Sequence, residues 1–349
     1  MAIEEIPKSE MKITDRSLHD ERTSDHEFTE SIPEDIFRTI TNLFSIRIYN
    51  YSEIELGYMN LKWHVKTSIG DLFVKQYNKV RYPDHMIKGV EESLNHQMYL
   101  NGKGIPCPQL LSHKGRYVLK TTNGERFVVM RLCGGEVIEP GTATENQMSS
   151  LGQVIGRMHK LLNDYQQTSI PLHWDILSKE SMRENWQRRW KEANSVACDK
   201  TISALVRQQK IIKDIDLSLF TECETGWAHW DLFVDNILFK KDSVAAILDF
   251  DRMNYVYQEF DISRPILSSC LYEGKIDLEK VSAFVEGYRE TYGLSVDKII
   301  RSIKLTWWKE ATMVTVEKNN DSMPLRRFQV ENSWVADHWH QLKDIFAEL

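Results

Sequence analysis

No Cys-x-x-Cys pair occurs among the five cysteines Cys107, Cys133, Cys198, Cys223 and Cys270. An odd, dispersed set argues against a disulfide framework or a thiolate zinc site as the organising feature of the fold. No run of about 18 apolar residues is present, so no membrane-spanning helix is expected. No basic tract is long enough to serve as a footprint for nucleic acid or an anionic membrane, and the formal net charge is -7. Internal repeats and low-complexity segments are missing too. The opening MAIEEIPKSE lacks the apolar centre of a signal peptide. The expectation is a cytoplasmic protein that engages neither nucleic acid nor membrane.

What is present is a chain of 349 residues with 42% hydrophobic content, enough for a sizeable core and about two domains. Residues 1–32 are dominated by Glu, Asp, Ser, Thr and Lys and read as a polar tail or extension. Helical periodicity starts near Ser31, with Pro33 in the first turn and Ile36, Ile40 and Leu43 following. Leu61, Trp63 and Val65 then alternate with polar residues. A Ser68–Asp71 turn leads to a second strand, Leu72–Tyr77, that carries Lys75. Glu91 to Leu100 reads as helix. Gly104-Ile105-Pro106-Cys107-Pro108 cannot continue it, because its prolines lack donors and fix φ. A further hairpin is expected from Tyr117–Leu119 and Phe127–Met130 around Asn123-Gly124. Cys133-Gly134-Gly135 breaks the pattern. It sets the expected boundary between a β-rich lobe, 33–133, and a helical lobe, 134–349.

In the helical half Leu151, Ile155, Met158 and Leu162 form one apolar stripe. Ile237–Phe239 and Ala246–Leu248 interrupt the helices as a small hairpin. The tryptophans of this half, including Trp174, Trp186, Trp190, Trp307, Trp308, Trp334 and Trp339, are expected mainly in core.

The chemistry concentrates around that hairpin. His229-Trp230-Asp231-Leu232-Phe233-Val234-Asp235-Asn236 precedes it, and Ile247-Leu248-Asp249-Phe250-Asp251 closes it. Phosphoryl transfer needs a carboxylate near the attacking hydroxyl, oxygen ligands for magnesium and a cation on the phosphates. A loop with one Asp and an Asn five positions on, followed by an Asp at the end of a hairpin, supplies the first two.

These segments resemble those of the aminoglycoside phosphotransferase and choline kinase superfamily, with its His-x-Asp-x-x-x-x-Asn and Ile-x-Asp-Phe/Trp-Asp/Glu patterns. The likeness runs roughly from Gly57 to Arg264 and extends to homoserine-kinase-like and spore-coat kinase-like branches. It implies an α+β, two-lobed, protein-kinase-like fold with a β-rich N-lobe and a mainly helical C-lobe. It also implies Asp231 as catalytic base and Asn236 and Asp249 as Mg2+ ligands. His229 becomes a structural member of the loop, Asp251 an assistant, and Asp261 the residue that steadies the catalytic region. Lys75 resembles the strand lysine on the α- and β-phosphates. Its glutamate partner is expected to be Glu91 or Glu92, with Glu92 favoured. Gly57 and Asn60 fall in a turn like the one that covers the phosphates. Val129–Cys133, with Met130 and Leu132, resembles the adenine hinge. His159 ends a matching helix and is expected to be structural.

The implied partners are ATP or GTP and a small hydroxyl-bearing acceptor such as an aminoglycoside-like compound or an amino alcohol, on a monomer or homodimer. The alternative is a catalytically silent binding or spore-coat-type assembly protein. A protein kinase is disfavoured, because no Asp-Phe-Gly followed by Ala-Pro-Glu occurs. Two positions depart from the family pattern. Trp230 stands where a small residue, usually Gly, is common, and Phe233 where His or Gln is common.

Overall fold

The computed structural model describes residues 31–55, 59–164, 170–312 and 323–349. The expected tail lies outside them except for Ser31 and Ile32, and so does Gly57. The chain divides into two compact units. The first runs to Met98 and resumes over Pro108–Cys133; the second takes Tyr99–Cys107 and Gly134–Leu349.

The first unit is a five-stranded antiparallel sheet in the order β1-β2-β3-β5-β4. Its strands are β1 (Ile48–Glu53), β2 (Lys62–Thr67), β3 (Gly70–Gln76), β4 (Leu119–Lys120) and β5 (Arg126–Arg131). Alternation sends successive side chains to opposite faces. Trp63, Val65, Leu72, Val74, Phe127 and Val129 pack on helix α1 (Ile32–Phe44) through Ile36, Phe37 and Ile40. Tyr77 and Val128 face the other way and join Val90 and Leu94 of helix α2 (Asp84–Gly102). Lys75 pairs in register with Val128, so it belongs to this second face.

Two local features were not in the sequence reading. β1 escaped it because a half-buried edge strand with a register shift between Ile48 and Asn50 shows no clean alternation. The expected strand at Tyr117-Val118 is not in the ladder. Both amides donate instead to the carboxylate of Glu91, at 2.8 and 2.9 Å.

Tyr99–Cys107 leaves the first unit because its apolar residues do. Leu100, Ile105 and Cys107 are buried in the core of the second unit, and Ile247 N donates to Pro106 O at 2.8 Å. The rest of this unit is built from α3 (Glu145–Asn163), α4 (Lys179–Ser195), α5 (Asp199–Asp214), α6 (Phe260–Cys270), α7 (Leu278–Arg289), α8 (Val296–Glu310) and α9 (Met323–Asp337). Three short antiparallel pairs are embedded in it, one of them Leu271–Tyr272 with Lys275–Ile276. β6 (Thr225–Ala228) pairs with β9 (Asn254–Tyr257), and β7 (Ile237–Lys240) with β8 (Ser243–Ile247), both antiparallel.

Thr144 caps α3 by accepting from Gln147 N, while the Gln147 side chain accepts from Thr144 N. The stripe Leu151, Ile155, Met158, Leu162 is buried. Gly152 lets α7 approach closely: a Cβ there would sit 2.0 Å from Phe284 O. Trp307, Trp308, Trp334 and Trp339 are buried, whereas Trp186 and Trp190 stack at 5.1 Å on a half-exposed face.

Candidate functional site

The loop from His229 to Asn236 lies in the second unit and is fixed through its backbone. The loop starts where β6 ends. Asp261, at the start of α6, is fully buried and accepts from two successive amides, His229 N at 2.6 Å and Trp230 N at 2.8 Å. Two adjacent N–H groups converging on one anion require a local left-handed turn. Trp230 supplies it, with φ of 63°. A family glycine would take this conformation freely, whereas a side chain holds it at a cost of about 1–2 kcal/mol. The carboxylate of Asp261 holds the turn in place.

Asp261 is itself held by His159, whose Nε2 lies 3.2 Å from Oδ2. His159 Nδ1 is 2.8 Å from the Tyr288 hydroxyl. Burial pushes the pKa of that hydroxyl well above its ordinary range, so it stays protonated. His229 Nε2 donates to Leu248 O at 2.9 Å and ties the loop to the end of the hairpin. Both histidines therefore act as struts.

Hairpin register assembles the rest. Ile237 pairs with Ile247, and Leu248 N donates to Asn236 O at 2.8 Å. Asn236 and Asp249 are thereby brought to the same open end. Asp249 also sits in a left-handed turn, with φ of 65°. Asn236 Nδ2 donates to Asp231 O at 2.8 Å and reaches Asp231 Oδ2 at 3.3 Å. That orientation turns its amide oxygen away from Asp231. A hard oxygen from Asn236 and a carboxylate from Asp249 suit a magnesium ion that shares its remaining positions with phosphate and water. Asp251 is buried beside them.

Asp231 also faces Arg252, with Nη1 to Oδ1 at 3.4 Å. Arg252 follows the Asp249-Phe250-Asp251 triplet directly, so its place was legible but its contact was not. Lys309 on α8 is a second residue that sequence reasoning missed. Its ammonium lies 4.7 Å from the centre of the Trp230 ring. No local pattern marks it, because folding alone brings α8 to the loop.

Phe233 is also explained by packing. Arg264 and Arg327 lie over its ring at 4.8 and 5.1 Å, and Phe328 stacks on it at 5.5 Å. Arg327 grips Asp235 with both nitrogens, at 2.8 and 3.1 Å. Arg264 is buried between Glu331, at 2.7 Å, and Glu310, at 3.4 Å. Burial alone would lower the Arg264 pKa, but these two carboxylates raise it. The loop is thus clamped from α6, α8 and α9.

The nucleotide-binding candidates lie in the first unit. Lys75 is buried, with its ammonium 5.7 Å from the centre of the Tyr77 ring. Glu92, the favoured partner in sequence, is exposed, and its influence falls on His96 one turn along α2. Helical phase puts Glu91 inward with Val90 and Leu94, and Glu91 is buried. Asn60 is buried, and its Oδ1 accepts from Asn78 N at 3.1 Å. In the hinge segment Met130 pairs in register with Phe73, and Leu132 donates its N–H to Asp71 O at 3.2 Å. The Leu132 amide is thus already engaged, which narrows the backbone donors left for a base.

Known proteins place this geometry in a lineage. A homoserine kinase of Methylobacillus glycogenes is 23% identical over 252 residues, covering 70% of this chain and 72% of its own length. Another, from Bartonella tribocorum, is 22% identical over 333 residues, covering 90% and 95%. A microcompartment-associated aminopropanol kinase superposes with a TM-score of 0.60 at 15% identity, covering 87% of this chain and 98% of its own. A spectinomycin phosphotransferase in complex with ADP and spectinomycin gives 0.59 at 15% identity, covering 86% and 97%. At these identities the structural likeness establishes the fold, a protein-kinase-like arrangement of a sheet-rich N-terminal part and a helical C-terminal part. Residues 50–297, well over half of the sequence, match a single family profile, and the chain belongs to the phosphotransferase enzyme family.

Proposed function

We propose that this protein is a small-molecule kinase that transfers the γ-phosphoryl of ATP or GTP to an acceptor hydroxyl. The observation that carries the reading is the position of Asp231, whose loop is fixed by Asp261, His229 and Asn236 at the hairpin end that also presents Asp249. Asp231 orients the acceptor hydroxyl and accepts its proton as the oxygen attacks the γ-phosphorus. The new O–P bond forms as the bond to the β-phosphate bridging oxygen breaks, and the nucleoside diphosphate leaves. Lys75 is assigned to the α- and β-phosphates. Asn236 and Asp249 would hold Mg2+, which neutralises charge on the phosphate oxygens. The acceptor class is an amino alcohol, a hydroxy amino acid or an aminoglycoside-like compound. Support comes from the relatives, among which are homoserine kinases and an aminopropanol kinase.

The test is incubation with ATP or GTP, Mg2+ and pooled hydroxyl acceptors, with mass spectrometry for an added phosphoryl group and Asp231→Ala in parallel. A product made by the wild type and not by the variant is expected. A product made equally well by both removes Asp231 from the chemistry.

A further inference from the structure

Lys309 stands beside the loop that carries Asp231, with its ammonium on the Trp230 ring. Among the described residues its ammonium has no carboxylate within ion-pair distance and no hydrogen-bond acceptor. It rests on two aromatic faces, Trp230 at 4.7 Å and Phe260 at 5.0 Å. Burial lowers its basicity, and Glu310 and Asp231 partly restore it. Both acids have other partners, since Glu310 is 3.4 Å from Arg264 and Asp231 is 3.4 Å from Arg252. The Trp230 indole also buries an Nε1 that has no acceptor among the described residues. Its ring is held by His173 at 5.1 Å. Burial, then the charge of Arg252, lowers the pKa of His173. Beside Asp231 the loop therefore presents the Lys309 ammonium and the Trp230 Nε1 donor, while Glu310 is held by Arg264.

A half-buried ammonium with no carboxylate partner among the described residues is costly unless something anionic completes it. A polycationic acceptor would set ammonium groups against Lys309 and Arg252, and like charges brought together in this way oppose binding. We propose that Lys309 binds a carboxylate of the acceptor, so that the substrate is a small hydroxy carboxylic acid whose hydroxyl reaches Asp231. The proposal rests on the kinase reading above. It adds the charge of the acceptor and a residue that selects for it.

Two matched sets test it: L-homoserine against 3-amino-1-propanol, which lacks only the carboxylate, and glycerate against glycerol and aminopropanediol. Wild type, Lys309→Met, Lys309→Arg and Asp231→Asn are compared by kcat and KM for each. Thermal melting and nucleotide binding serve as checks on folding. The wild type is expected to favour the carboxylate member of a set. Lys309→Met raises KM for that member about tenfold to a hundredfold, the worth of one charge-assisted hydrogen bond, and Lys309→Arg retains most of the preference. Equal or better turnover of the carboxylate-free members overturns the inference, as does a KM that Lys309→Met leaves in place; in both cases Asp231-dependent turnover keeps the kinase reading intact. Loss of Asp231-dependent turnover on every acceptor brings down that reading and the inference with it.

Discussion

Trp230 sets two demands against each other. Its backbone is left-handed, with φ of 63°, while its indole packs against His173, Phe260 and Lys309. Replacing the indole separates them. Trp230→Gly and Trp230→Ala lose the same contacts, but only alanine keeps a Cβ in the left-handed turn. Glycine is ordinarily the less stable of the two. Here the account predicts the reverse, with Trp230→Gly more stable than Trp230→Ala by about 1 kcal/mol in denaturant titration. The usual order would mean that the turn is not strained. Asp261 gives a second test at this scale. Its oxygens serve His229 N, Trp230 N and His159. Asp261→Asn places an amide donor among donors and is expected to cost about 1–3 kcal/mol, with a fall in kcat and nucleotide affinity preserved. Unaltered melting and turnover would show that the loop does not depend on this carboxylate.

The elements show why some of this was legible and some was not. The hairpin of β7 and β8 was readable from two short apolar runs, and its register follows from the chain itself. The α3 stripe was readable from its period. What escaped was the lateral approach of helices. Gly152 and Gly287 meet across α3 and α7, where a Cβ on Gly287 would lie 2.1 Å from Ser149 O. Nothing in the spacing of either glycine announces the other. Gly152→Ala is expected to destabilise the second unit by about 1–3 kcal/mol, because backbone atoms cannot yield as a flexible side chain would. A melting temperature equal to wild type would contradict the close approach. Glu91 and Glu92 show the same limit. Sequence offered both, and the helical phase that buries Glu91 and exposes Glu92 depends on which face of α2 meets the sheet. Lys309 was the least visible, because its role comes from the packing of α8 and not from any neighbour in sequence.

Across the whole molecule, the first unit ends at Cys133, beside the Gly134-Gly135 pair. The sequence did not show that Tyr99–Cys107 belongs with the second unit, because Leu100, Ile105 and Cys107 look like ordinary apolar residues until their partners are known. A non-hydrolysable ATP analogue with Mg2+ is expected to raise the melting temperature, by linkage worth about 2.7 kcal/mol at a hundredfold excess over Kd. Lys75→Met should weaken that protection, and full protection in the variant would remove Lys75 from the phosphate site.

The most direct measurement is the rate of phosphoryl transfer to an identified acceptor by wild type and Asp231→Asn, with nucleotide affinity determined on the same preparations. The account predicts that turnover falls by about two to four orders of magnitude, the range of general-base catalysis, while nucleotide binding is retained. Near-normal turnover by Asp231→Asn would contradict it.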